Sequence, residues 1–435
     1  MALLWRLPAS DCFIIEVDLL DILVVGSGGR EHSICWALRK SQRVNKLYCA
    51  PGNGGIAGIA ECVDIGVKDI AGIVDFAKDN ADYVVVAPDD PLATGMVDAL
   101  ESAGIRAFGP RKAAAMIESS KVYAKSVMKK YGIPTAEYAV FTGAAEASEY
   151  IRKAGAPIVI KADGLALGKG VVVAHDIMTA IEAVESIMLD KKFGDSGNRV
   201  IIEEYMTGPE ITLLAFTDGK TVIPMLSSQD HKRALTGNLG PNTGGMGAFC
   251  PSPLYTEAIA DVCMKTIVRP TIEALAQEGR PFKGVLYFGL MLTPGGMRVV
   301  EYNARFGDPE AQPILTMLKT DLLDIFEAVT DERLDEIDIE WNEGYACCVV
   351  MASGGYPDSY QTGYEITGLA KVPDDIIVFH AGSKRSGDAI LTNGGRVLGV
   401  TAAGDTLESA VNRVYEGVGN IRFENAYFRT DIGRL

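Results

Sequence analysis

Three polar side chains alternate along one short segment, Arg298-Val-Val-Glu301-Tyr-Asn303-Ala-Arg305-Phe-Gly-Asp308-Pro-Glu310. Residues two apart on a strand share a face, so Glu301, Asn303 and Arg305 line one side beside the apolar run 285–292. Such a face is costly in a core unless its groups are engaged. A carboxylate and an amide oxygen at i and i+2 suit Mg²⁺, which completes its shell with water and phosphate. Arg305 is then placed to pair bidentately with a carboxylate or phosphate. The plain alternative is an exposed edge strand.

Other segments offer phosphate chemistry. In Ile158-Val-Ile-Lys161-Ala-Asp-Gly164-Leu-Ala-Leu-Gly168-Lys169-Gly170 the spacing fails a P-loop, because three residues rather than four separate Gly164 from Gly168 and no Ser or Thr follows Lys169. It fits a glycine hairpin folding over phosphates, with Lys161 as a cation on the strand. Val200-Ile-Ile-Glu203-Glu204-Tyr205-Met206 reads as a strand entering a hinge that can face an adenine edge, with Glu210 near for ribose hydroxyls. Ser228-Gln-Asp230-His231-Lys232-Arg233 and Gly240-Pro-Asn242-Thr243-Gly244-Gly245-Met-Gly247 form a polar, then glycine-rich stretch. Long connections of that kind are usually functional, and substrate recognition is expected there. Gly26-Ser-Gly28-Gly29 follows a strand and opens a helix, a generic anion site. It fails the dinucleotide fingerprint, because Glu31 stands at the third glycine position and Ala50-Pro-Gly52 replaces the acidic ribose partner.

The elements that position these residues are legible as three units. Apolar runs at 21–26, 47–50, 83–87 and 105–108 alternate with helical stretches at 30–40, 70–78 and 92–103, which predicts a doubly wound parallel sheet. Runs at 158–162, 171–174, 200–203, 211–216 and 222–226 are mostly separated by short glycine turns, predicting antiparallel pairing. A long helix over 256–278 precedes strands at 285–292 and 298–302. The segment 331–343 holds seven carboxylates against one Arg and reads as a solvated linker or exposed helix. Strands at 345–352, 376–381 and 396–402 and a helix at 406–417 follow.

A chain of 435 residues suggests about three domains. Its composition excludes disorder and collagen-like repeats. A net charge of −16 argues against nucleic acid or an anionic membrane as partner. None of the eight cysteines forms a C-x-x-C pair, so the thiols read as buried apolar groups in a reducing compartment. No apolar run is long enough to span a membrane, and Asp11, Glu16 and Asp18 interrupt any signal-peptide core. A soluble cytoplasmic protein is expected.

In this order, the pieces resemble the glycinamide ribonucleotide synthetase family of ATP-grasp enzymes. The matching segments are Gly26-Ser-Gly-Gly-Arg-Glu-His32, Ala50-Pro-Gly-Asn53, Ile160-Lys-Ala-Asp-Gly164, Ser228 to Arg233, Gly240 to Gly247 and Asn303 to Glu310. Later come His380-Ala-Gly382, Thr392-Asn-Gly-Gly-Arg-Val397 and Asp431-Ile-Gly433. The resemblance implies a Rossmann-like substrate domain over 21–121 and an ATP-grasp domain over 122–330 with a small lid near 140–206. An acidic linker would cover 331–344, a mixed α/β domain 345–433, and residues 1–20 would be an extension without assigned role.

It also implies the second step of de novo purine biosynthesis. Glycine carboxylate would attack the γ-phosphate of ATP, and the amine of 5-phosphoribosylamine would displace phosphate from the glycyl phosphate. Lys121, Lys161, Gly164, Gly168, Lys169, Gly170, the hinge Glu203 to Met206 and Glu210 would hold ATP, and Glu301 and Asn303 would ligate Mg²⁺ or Mn²⁺. Gly26, Gly28, Gly29, Arg30, Asp89, Asp230, His231, Lys232, Asn242, Thr243, Gly244, Gly245, Arg305, Gly307 and Asp308 would surround phosphoribosylamine and glycine. Arg305, Lys161 and Asp308 would be catalytic, in a monomer without nucleic-acid or membrane partners. The family usually has Gly-Pro-Glu where this chain reads Ala87-Pro88-Asp89, so the charge is kept one methylene shorter. Another ATP-grasp carboxylate–amine ligase, a biotin carboxylase-type enzyme or a non-catalytic nucleotide-binding protein would share the ATP half. The segments 229–232 and 242–247 favour the first reading.

Overall fold

The computed structural model describes residues 18–165 and 170–434. Gly168, Lys169 and most of the expected extension lie outside the described residues.

The first unit is a five-stranded parallel sheet in the order Glu61–Cys62, Val44–Pro51, Leu20–Gly26, Tyr83–Val86, Arg106–Phe108. Ile22 to Val25 are fully buried because helices cover both faces. The chain runs outward from the first strand in one direction and then in the other. Its C-terminal end is therefore the switch point, where such folds open a crevice. The glycine turn stands there, leading into helix Gly29–Leu38. Gly26 has φ +135°, and a Cβ on it would fall 2.2 Å from Glu31 Cγ.

The central unit holds two four-stranded antiparallel sheets. One runs Val222–Pro224, Glu210–Asp218, Lys283–Thr293, Gly296–Asn303; the other runs Tyr138–Phe141, Val200–Glu204, Ile158–Ala162, Val171–Ala174. Helices Ala144–Ala154 and Ile177–Met188 pack on the second sheet around a core of its own. The helix expected over 256–278 is interrupted by a π-turn at Met264–Val268 between Glu257–Cys263 and Arg269–Gln277. Pro270 lacks the amide hydrogen a regular helix needs, and the wider turn accommodates it.

The third sheet draws on two parts of the chain. Its order is Gln229–Asp230, Gly247–Cys250, Tyr345–Ser353, Arg396–Gly404, Ile377–His380, so its first two strands come from the middle of the sequence. The acidic segment, expected as a solvated linker or exposed helix, is mostly exposed but is pinned to its neighbours. Leu334 is buried and its amide donates to Asp218 Oδ2 at 3.2 Å. Asp331 pairs with Arg106, Glu332 with Lys220 and Lys283, and Glu340 with Lys319. Its charges serve as partners for cations of two units, which a count of carboxylates does not reveal.

The first and third units meet behind the glycine turn. Asn53 Nδ2 donates to Ser27 O (2.9 Å) and His380 O (2.8 Å), while its Oδ1 accepts from the amides of Gly55 and Ile56. His32 Nδ1 accepts from the amide of His380 at 2.7 Å, and His380 Nδ1 lies 2.9 Å from Ser383 Oγ. Burial, then the neighbouring His380, lowers the His32 pKa to about 3; burial, then Arg385, lowers that of His380 to about 4.

Both imidazoles titrate near 6.5 in an unfolded chain, so below that pH the unfolded state binds more protons than the folded one. Stability at this seam is present above about pH 6.5 and falls as pH drops toward the folded values. Denaturant unfolding between pH 7.5 and 4 should show a loss of about 3 kcal/mol attributable to His380. His380→Asn should flatten that slope; an identical slope in the variant would place the acid sensitivity elsewhere.

Candidate active site

A cleft of about 1240 Å³ opens between the two central sheets and is walled at one end by the first and third units. The half expected to hold nucleotide is built around one carboxylate. Glu203 Oε2 lies 3.0 Å from Lys161 Nζ and 3.1 Å from Lys125 Nζ, all three side chains being almost fully buried. Glu203 was expected to open the adenine hinge; its side chain points inward as a shared counter-ion. Its Oε1 is buried with no partner among the described residues. Burial lowers the Lys125 pKa to about 8 against the pull of Glu203. Glu204 pairs with Arg298 at 3.2 Å and lines the cleft together with Tyr205 and Met206. Lys121 donates to Gly164 O at 2.9 Å, and burial pulls its pKa down while Glu301 opposes this. Gly164 shapes the start of the glycine loop, since a Cβ there would meet Ser196 Oγ at 2.1 Å.

Glu301 and Asn303 project into the same cleft from Gly296–Asn303. A bulge opposite Gly289 and Leu290 leaves Val300 unpaired, and its carbonyl accepts from Lys161 Nζ at 3.2 Å. Glu301 makes no hydrogen bond or ion pair among the described residues. Burial opposes its charge, but Lys232, Lys161 and Lys121 hold its pKa below the usual range. Asn303 Oδ1 has only a long contact, 3.3 Å, from Arg305 Nη2. Among the described residues no three His, Cys, Asp or Glu side chains converge on a metal position. Two oxygen donors of this kind fit a hard divalent cation that takes its remaining ligands from phosphate and water.

Beside them, Arg305 Nη2 pairs with Glu118 Oε1 at 3.1 Å, and Glu118 also accepts from the amide of Ala304. The Arg305 Nε is buried with no partner among the described residues. Asp308 accepts from Gln312 Nε2 (3.0 Å) and pairs with Arg396 (3.3 Å); against the cost of burial, Arg396 and Arg30 hold its pKa down. Asp230 is half-buried, and burial reinforced by Glu310, Glu210 and Glu301 raises its pKa to about 8 although Lys232 opposes. Lys232 Nζ meets Glu210 Oε2 at 2.6 Å, so the expected ribose acid and the expected substrate lysine face each other. His231 is held neutral by burial, its pKa near 4, and its Nδ1 has no partner among the described residues.

Of the expected residues, Arg30, Asp89, Gly170, Asn242, Thr243 and Gly244 also line the cleft. Gly26, Gly28, Gly29, Gly164, Gly245 and Gly307 do not; they shape what lies behind it. The Gly28 amide donates to Glu31 Oε2 at 2.5 Å, so it is not a free anion-binding donor. Sequence reasoning missed Glu118, Lys125, Tyr287, Glu310, Tyr356 and Arg396, all in the cleft wall. Lys125 had a signal, one helical turn after Lys121. Tyr287 had none, sitting inside an apolar strand.

Comparison with known proteins covers nearly the whole chain. Residues 20–118 match the family model described as phosphoribosylglycinamide synthetase, N domain. Residues 119–311 match its ATP-grasp (A) domain and 346–435 its C domain. A phosphoribosylamine–glycine ligase of Halalkalibacterium halodurans is 49% identical over 415 residues, covering 95% of this chain and 96% of the relative. The crystal structure of a phosphoribosylamine–glycine ligase from Thermotoga maritima superposes with a TM-score of 0.81 at 33% identity, covering 94% of this chain and 99% of that one. A biotin carboxylase from Campylobacter jejuni shares the fold alone, with a TM-score of 0.72 at 14% identity over 94% of this chain and 93% of its own.

Glu203→Gln would leave two buried ammonium groups without their anion, a change that costs about 3–5 kcal/mol when one partner of a buried pair is removed. A lower unfolding midpoint and ATP binding weakened at least tenfold are expected, read by denaturation and calorimetry. Adding Lys125→Met should recover part of the stability. Unaltered ATP affinity in Glu203→Gln would remove this cluster from the nucleotide site.

Proposed function

The chain belongs to the phosphoribosylglycinamide synthetase family, and from that premise we propose how its cleft joins glycine to 5-phosphoribosylamine with cleavage of ATP to ADP and phosphate. This is an ATP-dependent ligase reaction forming a C–N bond, a step of purine biosynthesis. The observation that carries the reading is one cleft with two unlike halves. Glu301, a carboxylate with no side-chain hydrogen bond or ion pair among the described residues, is kept charged by Lys232, Lys161, Lys121 and Arg305, and Asp230 and Asp308 line the same cleft.

Little acid–base work is demanded of the protein in the first step. Glycine carboxylate is already a nucleophile, and its attack on the γ-phosphorus gives glycyl phosphate and ADP. Charge neutralisation and alignment are the main requirements. Lys121 and Lys161 supply fixed positive charge at the phosphates, with Lys161 oriented by Glu203 and Val300 O. ATP-grasp enzymes work with a divalent cation; Mg²⁺ or Mn²⁺ on Glu301 and Asn303 would neutralise phosphate charge. Tyr205 and Met206 flank the adenine. Arg305, fixed by Glu118, offers its unpaired Nε to the carboxylate and acyl phosphate oxygens.

In the second step the phosphoribosylamine nitrogen attacks the acyl carbon and phosphate leaves. Asp230, His231, Lys232 and the 242–245 loop contact the amine substrate, with Asp308 and Arg30 at the first unit's glycine turn. The deep cleft shields the acyl phosphate from water. The acidic net charge argues against nucleic acid or an anionic membrane as partner. A cytoplasmic monomer completes the reading.

The test is ADP release with ATP, Mg²⁺ and glycine, with and without phosphoribosylamine generated from ribose 5-phosphate and ammonia. Product glycinamide ribonucleotide, formed only with both substrates, is expected. Glu301→Ala should lower turnover at least 100-fold without changing the unfolding free energy by more than about 1 kcal/mol, since the removed carboxylate has no hydrogen-bonded partner among the described residues to orphan. Full activity in that variant would sink the metal assignment. Asp230→Ala should chiefly raise the KM for phosphoribosylamine; an unchanged KM removes it from the acceptor site.

A further inference from the structure

Gly244 is gripped on both sides by residues of the C-terminal unit. Its amide donates to Tyr356 Oη at 3.2 Å, and its carbonyl accepts from Arg396 Nη1 at 2.7 Å. The same guanidinium nitrogen reaches Gly245 O (3.3 Å) and Asp308 O (2.7 Å), while Nη2 pairs with Asp308 Oδ2 at 3.3 Å. One side chain thus ties two neighbouring peptide carbonyls of the loop to the backbone and carboxylate of Asp308. We propose that Arg396 and Tyr356 are positioning residues through which the C-terminal unit sets the affinity of the amine-bearing substrate. The inference rests on the reaction assigned above.

The loop's glycines make sense on this basis. A Cβ at Gly244 would lie 3.1 Å from Arg396 Cζ, and one at Gly245, where φ is +112°, would lie 2.4 Å from Pro309 Cδ. The guanidinium and the proline ring occupy the space where side chains would stand, so the loop closes onto Asp308 by backbone alone.

Displacement of the loop is transmitted to the residues facing the substrate. Thr243 donates to Lys232 O through both its amide (2.7 Å) and its hydroxyl (2.8 Å), and the Met246 amide donates to His231 O at 2.9 Å. The other end of the connection is Asp308. Its Oδ2 lies 3.4 Å from the Cβ position of Gly28, at the start of the first unit's helix. Arg396 therefore acts where all three units converge, and none of its hydrogen-bonded contacts is to a lysine or to Glu203 in the nucleotide half. A lysine could not replace it. Its single ammonium nitrogen cannot take the carbonyls through one nitrogen and the Asp308 carboxylate through a second, as Nη1 and Nη2 do.

The test uses the full-length chain with Arg396→Ala, Arg396→Lys and Tyr356→Phe, and measures KM separately for ATP, glycine and phosphoribosylamine alongside the unfolding midpoint. Loss of hydrogen bonds from a charged group predicts a rise of roughly 10- to 100-fold in the KM for phosphoribosylamine in Arg396→Ala. The KM for ATP should move less than about twofold, and millimolar guanidinium should restore part of the acceptor affinity. Arg396→Lys should stay close to Arg396→Ala. Tyr356→Phe, which removes one acceptor and keeps the ring, should raise the same KM about threefold; it carries the test if Arg396→Ala fails to fold. An unchanged acceptor KM in Tyr356→Phe and Arg396→Ala, or equal losses for ATP and acceptor without guanidinium rescue, would overturn the proposal. A wild-type chain that forms no glycinamide ribonucleotide would instead overturn the reaction assignment on which it rests.

Discussion

Cations drawn together in a buried cleft repel one another and lose hydration, and every structural choice around this site answers that cost. Lys125 and Lys161 share Glu203, Arg305 takes Glu118, Arg396 takes Asp308 and Lys232 takes Glu210. Glu301 is the exception. Its carboxylate has charged neighbours but no side-chain hydrogen bond or ion pair among the described residues, and under the proposed reading it holds the divalent cation. The buried pairs add little net stability by themselves. What they provide is a set of fixed charges that need not reorganise when phosphate charge moves.

Backbone geometry does the same work with less material. Gly26, Gly245 and Gly307 lie where a side chain would collide with Glu31, Pro309 or Glu310. At Gly26 and Gly245 the backbone also adopts a left-handed φ that costs other residues more. Each lets a carboxylate or ring come close to the chain. The bulge at Val300 belongs to the same class, turning a carbonyl out of the ladder toward Lys161.

The third sheet ties the halves together. Gln229–Asp230 pairs with Gly247–Cys250, which pairs in turn with Tyr345–Ser353, so the polar segment between them is tied to a unit nearly a hundred residues further on. Aromatic packing joins the remaining units, with Phe326 stacked on Phe108 at 3.9 Å and edge-on to Phe306. The sheet that holds Ile158–Ala162 has a core of its own, so it is the part whose packing depends least on the rest.

Local pattern was enough for much of this. Strand–helix alternation specified the parallel sheet, glycine-turn spacing specified antiparallel strands, and the alternation of Glu301, Asn303 and Arg305 specified a polar face, because these depend on the period of the backbone and on neighbours in sequence. The motif segments carried the family as well. Sequence alone did not tell that Glu203 points inward to two lysines or that the acidic run 331–344 is spent on ion pairs. Nor did it show that Arg396 reaches Asp308 88 residues away. Those outcomes depend on which charges face each other across sheets, and nothing along the chain encodes the distance between groups on different units. Only the packed fold brings them within hydrogen-bond reach, and it is there that a list of polar residues becomes a site.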